Sequence, residues 1–307
     1  MTTDREIQLV YEPQWQTPVT EDIRPVLLTV LAHPDDESFG TGGTLAWYAS
    51  CGVEVHVICA TGGEVGGVDP ELLQGYASVA ERRLAELRCA AHHLGVTGVH
   101  LLGYRDSACP AHPIMNIPRH WLQPPLDEVS GRITRAIRQI RPQVVITFDP
   151  IGGYRHPDHI AVHQATVEAF HAAGDPQRYP SPEPAYQPQK LYFQTFPRGL
   201  LRFMIRLLPL FGKDPRRFGR NADVDLTSFA NEEFPINAQI DFIEVWRQRD
   251  AAIMCHSSQI GAPSFTRTLL QEALRWFGAG ETFMRAHPPA APRLRERDLF
   301  ADVVWRL

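Results

Sequence analysis

The run Val26-Leu-Leu-Thr-Val-Leu31 leads directly into Ala32-His-Pro-Asp-Asp-Glu37, which places an imidazole and several carboxylates at the end of an apolar segment. An apolar run of this length is typical of a strand that is buried on both faces of a parallel sheet. Open α/β sheets bind their ligands at the carboxyl ends of such strands. A hydrolytic metal ion needs nitrogen and oxygen ligands with one coordination position left open. This stretch therefore predicts an α/β fold and half of a metal site.

A second apolar run, at residues 144–148, is followed by Gly152-Gly-Tyr-Arg-His-Pro-Asp-His159. It places two more imidazoles and an acid at the end of another predicted strand. We expect the two half-sites to form one site, because ligand-binding residues gather at the same edge of such a sheet.

The first half of the chain alternates between predicted strands and predicted helices. The strands are predicted at residues 26–31, 53–60, 99–102 and 144–148, and the helices at 42–50, 77–94 and 126–140. This alternation predicts a Rossmann-like, doubly wound α/β fold with a mostly parallel sheet. The first strand then lies beside the fourth, which brings the two half-sites together.

The chain divides into three predicted parts. Residues 1–25 are expected to form an extended arm, residues 26–174 the catalytic domain, and residues 175–307 an insertion and a smaller C-terminal lobe that completes the crevice. Proline-rich sequence marks the start of the third part. Within that part we predict a strand at 190–196 and helices at 236–255 and 264–277.

Residues 197–221 alternate basic and apolar side chains at a spacing that indicates an amphipathic helix. Three interpretations stay open for this segment. It packs on the lobe, it covers the metal crevice, or it meets an anionic lipid or an acidic partner as a peripheral surface helix.

Composition excludes several classes of protein. The chain has 307 residues, 44% hydrophobic and 21% charged, with a formal net charge of -5, which is typical of a globular protein with no general attraction to nucleic acid. No apolar run approaches the roughly 20 residues that span a bilayer. The first residues do not resemble a secretion signal, so a cytoplasmic location is expected. The five cysteines are odd in number and show no Cys-x-x-Cys pair, so we expect small core residues rather than disulfides. A homo-oligomer is compatible with the sequence.

The motifs together resemble the PIG-L/LmbE-like family of zinc-dependent N-deacetylases, which act on N-acetylglucosamine-containing molecules. The resemblance rests on the two clusters above and on four further elements. These are Thr61-Gly-Gly-Glu-Val-Gly66, Arg83-Leu-Ala-Glu-Leu87, Leu102-Gly-Tyr-Arg-Asp-Ser107 and, less specifically, His256-Ser-Ser-Gln259. The chain departs from the family after Ser107, where Ala108-Cys109-Pro110 follows in place of a frequent glycine.

The resemblance implies a metal site and a set of catalytic groups. His33, Asp36 and His159 would hold Zn²⁺, with Fe²⁺ as the other candidate, and two imidazoles with one carboxylate leave an open position for water. Asp35 would act as general base unless it only braces the site. His163, one helical turn after His159, is a less favoured alternative ligand.

The second cluster would stabilise the developing charge. His156 would stabilise the oxyanion and protonate the leaving amine, and Asp158 would orient its ring. Tyr154 would add a donor, or else pack as a cover over the site.

The resemblance also implies contacts with the substrate. Arg83 and Asp106 would contact the sugar or its substituent, although a structural ion pair of Arg83 with Glu64 or Glu86 is an equal alternative.

The predicted function is zinc-dependent removal of the N-acetyl group from a small N-acetylglucosamine-type conjugate. An amidase for a larger acyl group or thiol conjugate, and a metal-binding protein that binds carbohydrate without catalysis, are the alternatives. A dinucleotide oxidoreductase is excluded, because Gly40-Thr-Gly-Gly-Thr-Leu45 lacks the third glycine of the fingerprint. A serine hydrolase is excluded because the chain has no G-x-S-x-G element.

Overall fold

A computed structural model of the protein describes residues 7–11, 24–107, 124–218, 224–260 and 280–304. Within these residues, eight strands form one sheet in the order β1-β4-β3-β2-β5-β6-β8-β7. The strands are β1 (Gln8–Tyr11), β2 (Val26–Leu31), β3 (Glu54–Thr61), β4 (Gly98–Tyr104), β5 (Val144–Thr147), β6 (Lys190–Thr195), β7 (Ala238–Asp241) and β8 (Gly280–His287).

The centre of the sheet is parallel and its two edges are antiparallel. Strands β4, β3, β2, β5 and β6 pair in parallel, whereas β1 pairs antiparallel with β4, and β8 pairs antiparallel with both β6 and β7. Strand β2 lies between β3 and β5, so that Leu27 is opposite both Val55 and Val144. The predicted α/β class is confirmed. The predicted pairing of the strand at 26–31 (β2) with the strand at 144–148 (β5) is confirmed as well.

Helices cover both faces of the sheet. They are α1 (Asp36–Gly40), α2 (Gly42–Ser50), α3 (Val79–Leu94), α4 (Leu126–Ile140), α5 (Gly152–Arg155), α6 (Pro157–Ala172), α7 (Arg198–Leu207), α8 (Trp246–Cys255) and α9 (Ser257–Ile260). Alternate residues of β2 point to opposite faces: Leu27 packs with the core under α2, α3 and α8, and Leu28 with the core under α4 and α6. Burial on both sides explains why this strand is apolar throughout.

Three differences from the sequence-based expectations concern strands. The predicted helix at 236–255 is wrong in its first part, because Ala238 and Ile240 face inward at alternate positions of β7, and the helix begins only at Trp246. The predicted arm contributes β1 as an edge strand. The segment predicted as a smaller lobe contributes β6, β7 and β8, which extend the same sheet. The helix predicted at 264–277 lies outside the described residues.

The expectation that the cysteines form no disulfide is wrong. Cys89 of α3 and Cys255 of α8 form a disulfide across a sequence separation of 166 residues, with their Cα atoms 5.8 Å apart. The two helices pack side by side on one face of the sheet. Because this contact depends on the tertiary fold, the spacing of the cysteines in the sequence does not predict it. Cys59 is free and buried, as predicted, and Cys51 is free and exposed. Cys109 lies outside the described residues.

Helix α7 begins beside the loop that follows β5. Its first residue, Arg198, is buried and directs its guanidinium to the Asp149 carboxylate (3.4 Å) and to the Glu232 carbonyl (2.9 Å). On its outer side, Phe203 is 57% exposed, and in the short 3-10 turn that follows, Leu210 is 78% exposed. Among the described residues, none of the helices has the length and apolar character needed to cross a membrane.

Candidate active site

The two sequence clusters meet at the carboxyl ends of β2 and β5. His33 follows β2, Asp36 begins α1, and His159 lies in the first turn of α6, which follows β5. The His33 Nδ1 and His159 Nε2 atoms are 3.2 Å apart, and the Asp36 carboxylate oxygens lie 3.5 Å from the former and 3.4 Å from the latter. The sheet topology thus brings together three side chains from two distant parts of the chain.

The separation of these donor atoms fits a metal ion. Ligand atoms bound at about 2.0 Å in tetrahedral geometry are about 3.3 Å apart. The two ring nitrogens are separated by a similar distance, and Asp36 approaches each of them with a different carboxylate oxygen. Burial lowers the pKa of His159 to about 4 and so favours the neutral ring, the form that binds metal. The two histidines and the carboxylate could therefore hold a metal ion, and His156 also offers a ring nitrogen within 4.8 Å of those of His33 and His159.

His33 uses its second nitrogen for a contact with acids. The Nε2 atom donates to the Asp158 carboxylate at 3.2 Å and lies 3.6 Å from an Asp106 oxygen. A carboxylate on one ring nitrogen fixes the tautomer and leaves the other nitrogen free to bind a metal. Asp158 is itself held by the hydroxyl and backbone N–H of Ser107. Asp106, predicted as a sugar contact, is buried and faces His33.

The carboxylate of Asp158 does not orient His156, which corrects the sequence-based expectation. The Nδ1 atom of His156 instead accepts the backbone N–H of Asp158 at 3.2 Å, because His156 caps the amino end of α6. This cap fixes the ring of His156 and turns the Asp158 side chain towards His33.

His156 and Tyr154 line the donor cluster. The ring centroid of His156 is 4.6 Å from that of His33 and 5.0 Å from that of His159. Tyr154 packs edge to face on His159 at 5.0 Å. Burial, together with the neighbouring imidazoles, lowers the pKa of His156 to about 3, which favours its neutral form.

Asp35 occupies a strained position beside the ligands. Its φ of 120° is rare for a residue with a side chain. Burial raises the pKa of Asp35 to about 6, against the opposing effect of Arg83. A carboxyl group with this pKa can accept a proton near neutral pH, as a general base must.

Arg83 is buried and contacts the protein rather than an open surface. Its guanidinium donates to the Asp35 carboxylate at 3.0 Å and to the carbonyls of Pro34 (2.6 Å) and Gly63 (3.0 Å). Gly63 has a φ of 68°, and a Cβ atom there would lie 2.1 Å from the guanidinium. The ion pair foreseen for Arg83 exists, but its partner is Asp35 rather than Glu64 or Glu86.

Two further candidate functional residues, Glu37 and His256, were not predicted from the sequence. Glu37 and His256 are both fully buried and hydrogen-bonded to each other at 2.7 Å, although 219 residues separate them. Both stood within recognised motifs, but their pairing depends on how α8 packs against α1. Among the described residues, the alternative ligand His163 belongs to none of the groups that could hold a metal ion. Its Nδ1 atom bonds the Phe148 carbonyl at 2.8 Å, and its ring packs against Phe193.

A cavity of about 370 Å³ lies beside Asp158, between the ends of β3 and β4 and helices α4 and α6. Its wall is mainly apolar and includes Val129 and Val162, with Arg105 as a basic group. A larger cavity of about 970 Å³ is lined by Lys190 and Arg141 at the opposite edge of the sheet, away from the donor cluster. Of these two cavities, the smaller one adjoins the candidate site.

Comparison with known proteins agrees with the geometry. Residues 28–170 match the family model PIG-L, described as GlcNAc-PI de-N-acetylase. The chain is 38% identical over 243 residues to the 1D-myo-inositol 2-acetamido-2-deoxy-alpha-D-glucopyranoside deacetylase of Geodermatophilus obscurus. The alignment covers 76% of this chain and 82% of that protein. It is 33% identical over 300 residues to the mycothiol S-conjugate amidase of Streptomyces coelicolor, covering 93% and 99% of the two chains.

A solved structure shares the fold. The N,N'-diacetylchitobiose deacetylase of Pyrococcus horikoshii superposes with a TM-score of 0.58 at 21% identity, over 85% of this chain and 83% of that one. The chain belongs to the PIG-L family of amide hydrolases.

Proposed function

We propose that this protein is a metal-dependent N-deacetylase that removes the acetyl group from an N-acetylglucosamine conjugate. An inositol glycoside is the first substrate to test, because the relative in Geodermatophilus obscurus is named for that compound. The observation that carries the proposal is the triangle of the His33, Asp36 and His159 side chains, whose ring nitrogens and carboxylate oxygens approach one another at 3.2, 3.5 and 3.4 Å.

These three residues would hold Zn²⁺ or Fe²⁺, and the bound ion would supply a Lewis acid that polarises the amide carbonyl and activates water. Two imidazoles and one carboxylate suit both ions. His33 is oriented for this task by Asp158, which accepts the hydrogen bond of its other nitrogen.

The neighbouring groups provide the proton transfers. Asp35 would take the proton of the attacking water, and its position beside Arg83 keeps the carboxylate in place. His156, as a neutral ring, would donate a hydrogen bond to the carbonyl oxygen as negative charge develops, and the proton that Asp35 took from the water would then pass to the leaving nitrogen. Tyr154 packs on these rings and would add a phenolic donor to the same oxygen.

The test is a direct assay on the purified full chain. Incubation with 1D-myo-inositol 2-acetamido-2-deoxy-α-D-glucopyranoside should release acetate and a primary amine in equal amounts, and a chelator should stop the reaction. Bound metal without acetate release from this or any other N-acetylated sugar conjugate would favour the non-catalytic, carbohydrate-binding alternative.

A second candidate function is hydrolysis of a larger amide. The relative in Streptomyces coelicolor is named an S-conjugate amidase, and the apolar cavity beside Asp158 offers room for a group larger than acetyl. The same assay with a thiol S-conjugate in place of the acetyl substrate separates the two functions, because each predicts the higher kcat/KM for its own substrate.

A further inference from the structure

Asp35 is held by one contact on its side chain and by another on its backbone. Its carboxylate receives the guanidinium of Arg83, and its backbone N–H donates to the Oε2 atom of Glu37 at 2.9 Å. This second bond acts on a residue with a φ of 120°, a conformation that persists only where the surroundings enforce it. The direction of the Asp35 side chain therefore depends on the placement of Glu37.

Glu37 is itself completely engaged. It is 1% exposed, and its Oε1 atom accepts the Ser38 hydroxyl at 2.5 Å and the Nε2 of His256 at 2.7 Å. A buried carboxylate is costly unless it is hydrogen-bonded in this way. Losing His256 would leave Oε1 with the Ser38 hydroxyl alone and would free the Glu37 side chain to turn.

His256 reaches Glu37 from the junction between α8 and α9, and α3 fixes that junction. The Glu86 carboxylate accepts the backbone N–H of Ser258 at 2.9 Å and its hydroxyl at 2.6 Å, while the disulfide ties Cys89 to Cys255. Arg83, Glu86 and Cys89 are spaced three residues apart along α3. Helix α3 thus carries Arg83, which contacts Asp35 directly, and it also fixes the segment of His256, which contacts Glu37.

We propose that Glu37 and His256 are positioning residues, in which His256 orients Glu37 and Glu37 fixes the backbone of Asp35 for catalysis. The inference rests on the proposed function of Asp35 as general base. Neither residue is one of the three proposed metal ligands. We therefore expect that replacing them lowers turnover and leaves metal binding unchanged.

The experiment compares His256→Ala, Glu37→Gln and the double variant in the full chain. Each single variant is expected to lower kcat by about 10- to 100-fold, the range found for groups that orient active-site residues. KM and metal content should stay unchanged. The double variant should have the same kcat as Glu37→Gln alone, because residues that act as a unit have non-additive effects.

Two further variants distinguish positioning from a general loss of structure. His256→Gln keeps an N–H donor that can reach Glu37 and should recover part of the lost kcat. His163→Gln also replaces a buried histidine, one whose Nδ1 atom bonds the Phe148 carbonyl at 2.8 Å. It should lower the melting temperature as much as His256→Gln does, yet leave kcat unchanged.

The outcomes separate this inference from the proposed function. If the unaltered protein hydrolyses no amide, the proposed function fails and the inference fails with it. If Asp35→Asn keeps its turnover, the general base is misassigned and the inference is again overturned. If Asp35→Asn is inactive while His256→Ala or Glu37→Gln keeps a normal kcat, or if the losses in the double variant add, only the positioning role is wrong. Should His256→Ala not fold, the near-isosteric Glu37→Gln decides the matter.

Discussion

The two ring nitrogens of His33 have different tasks, and this division defines the site at the scale of single residues. Nδ1 belongs to the donor triangle, whereas Nε2 donates to Asp158. An imidazole that donates through one nitrogen can present a lone pair on the other, so the acid behind His33 would orient it for the metal ion that we propose. His159 completes the triangle from α6, where Phe148 stacks on its ring at 3.9 Å.

Removal of a ligand tests the metal site. The purified protein should contain about one equivalent of metal, and His159→Ala should lose most of it, because two remaining ligands bind far more weakly than three. The matched control is His171→Ala, an exposed histidine on the same helix, which should retain the metal. Metal analysis by atomic absorption provides the measurement, and full occupancy in His159→Ala would exclude the assignment.

Removal of the base tests the chemistry separately from binding. Asp35→Asn preserves the shape of the side chain but cannot accept a proton, so kcat should fall by about 100- to 10,000-fold while metal remains bound. His156→Ala should behave in the same way, since His156 is not one of the three ligands that we propose. Single-turnover assays alongside metal analysis would measure both effects. Near-normal turnover in either variant would remove that residue from the mechanism.

At the scale of elements, α7 carries basic and apolar residues next to the site, and two of its arginines differ in their environment. Arg202 forms an ion pair with Glu233 at 2.7 Å, whereas Arg206 is exposed on the side that carries Phe203. Arg206 has no ion pair within the part of the chain that the structure describes, so that, if α7 covers the crevice, it would attract an anionic substituent of the substrate.

The prediction for α7 follows from this difference. Arg206→Ala should raise KM for an acidic conjugate by up to about fivefold, the range of an exposed ion pair, and leave KM for a neutral sugar unchanged. Arg202→Ala is the matched control and should change neither. Equal changes for both substrates would reduce α7 to a structural role, and a loss of binding to anionic vesicles would instead identify a lipid-facing helix.

Local patterns predicted the elements that are buried on both faces and missed those at the edges. The runs that form β2 and β5 are continuous and apolar, so sequence alone located them to within one residue. Strands β1 and β7 have four residues each, too few to establish a period, and β7 was absorbed into the following helix. The donor residues were foreseen because they share two short motifs. The pairs Arg83–Asp35 and Glu37–His256 were not, because they depend on how distant helices pack.

At the scale of the whole molecule, the disulfide closes a very long loop. Cross-linking residues separated by 166 positions restricts the unfolded chain, and chain entropy predicts a stabilisation of up to about 5 kcal/mol. Cys89→Ser, or reduction with dithiothreitol, should therefore lower the melting temperature by roughly 5–8 °C for a chain of this length.

The chain offers a control for the disulfide. Cys51 is free and exposed, so Cys51→Ser should leave the melting temperature unchanged, with and without reductant. Thermal unfolding followed by circular dichroism would compare the three proteins. A melting temperature that does not respond to reductant in the unaltered protein would show that the bond contributes nothing to its stability.

The contact between Glu37 and His256 also bears on the order in which the protein is made. A nascent chain that has emerged as far as residue 174 already contains all three side chains of the donor triangle, but it lacks β6, β8 and His256. Later still comes Glu281, whose carboxylate accepts the backbone N–H groups of Gly43 and Thr44 at the start of α2. The ribosome therefore synthesises the reactive groups first and their supports last. A competent enzyme is expected to form in one late step of translation rather than gradually.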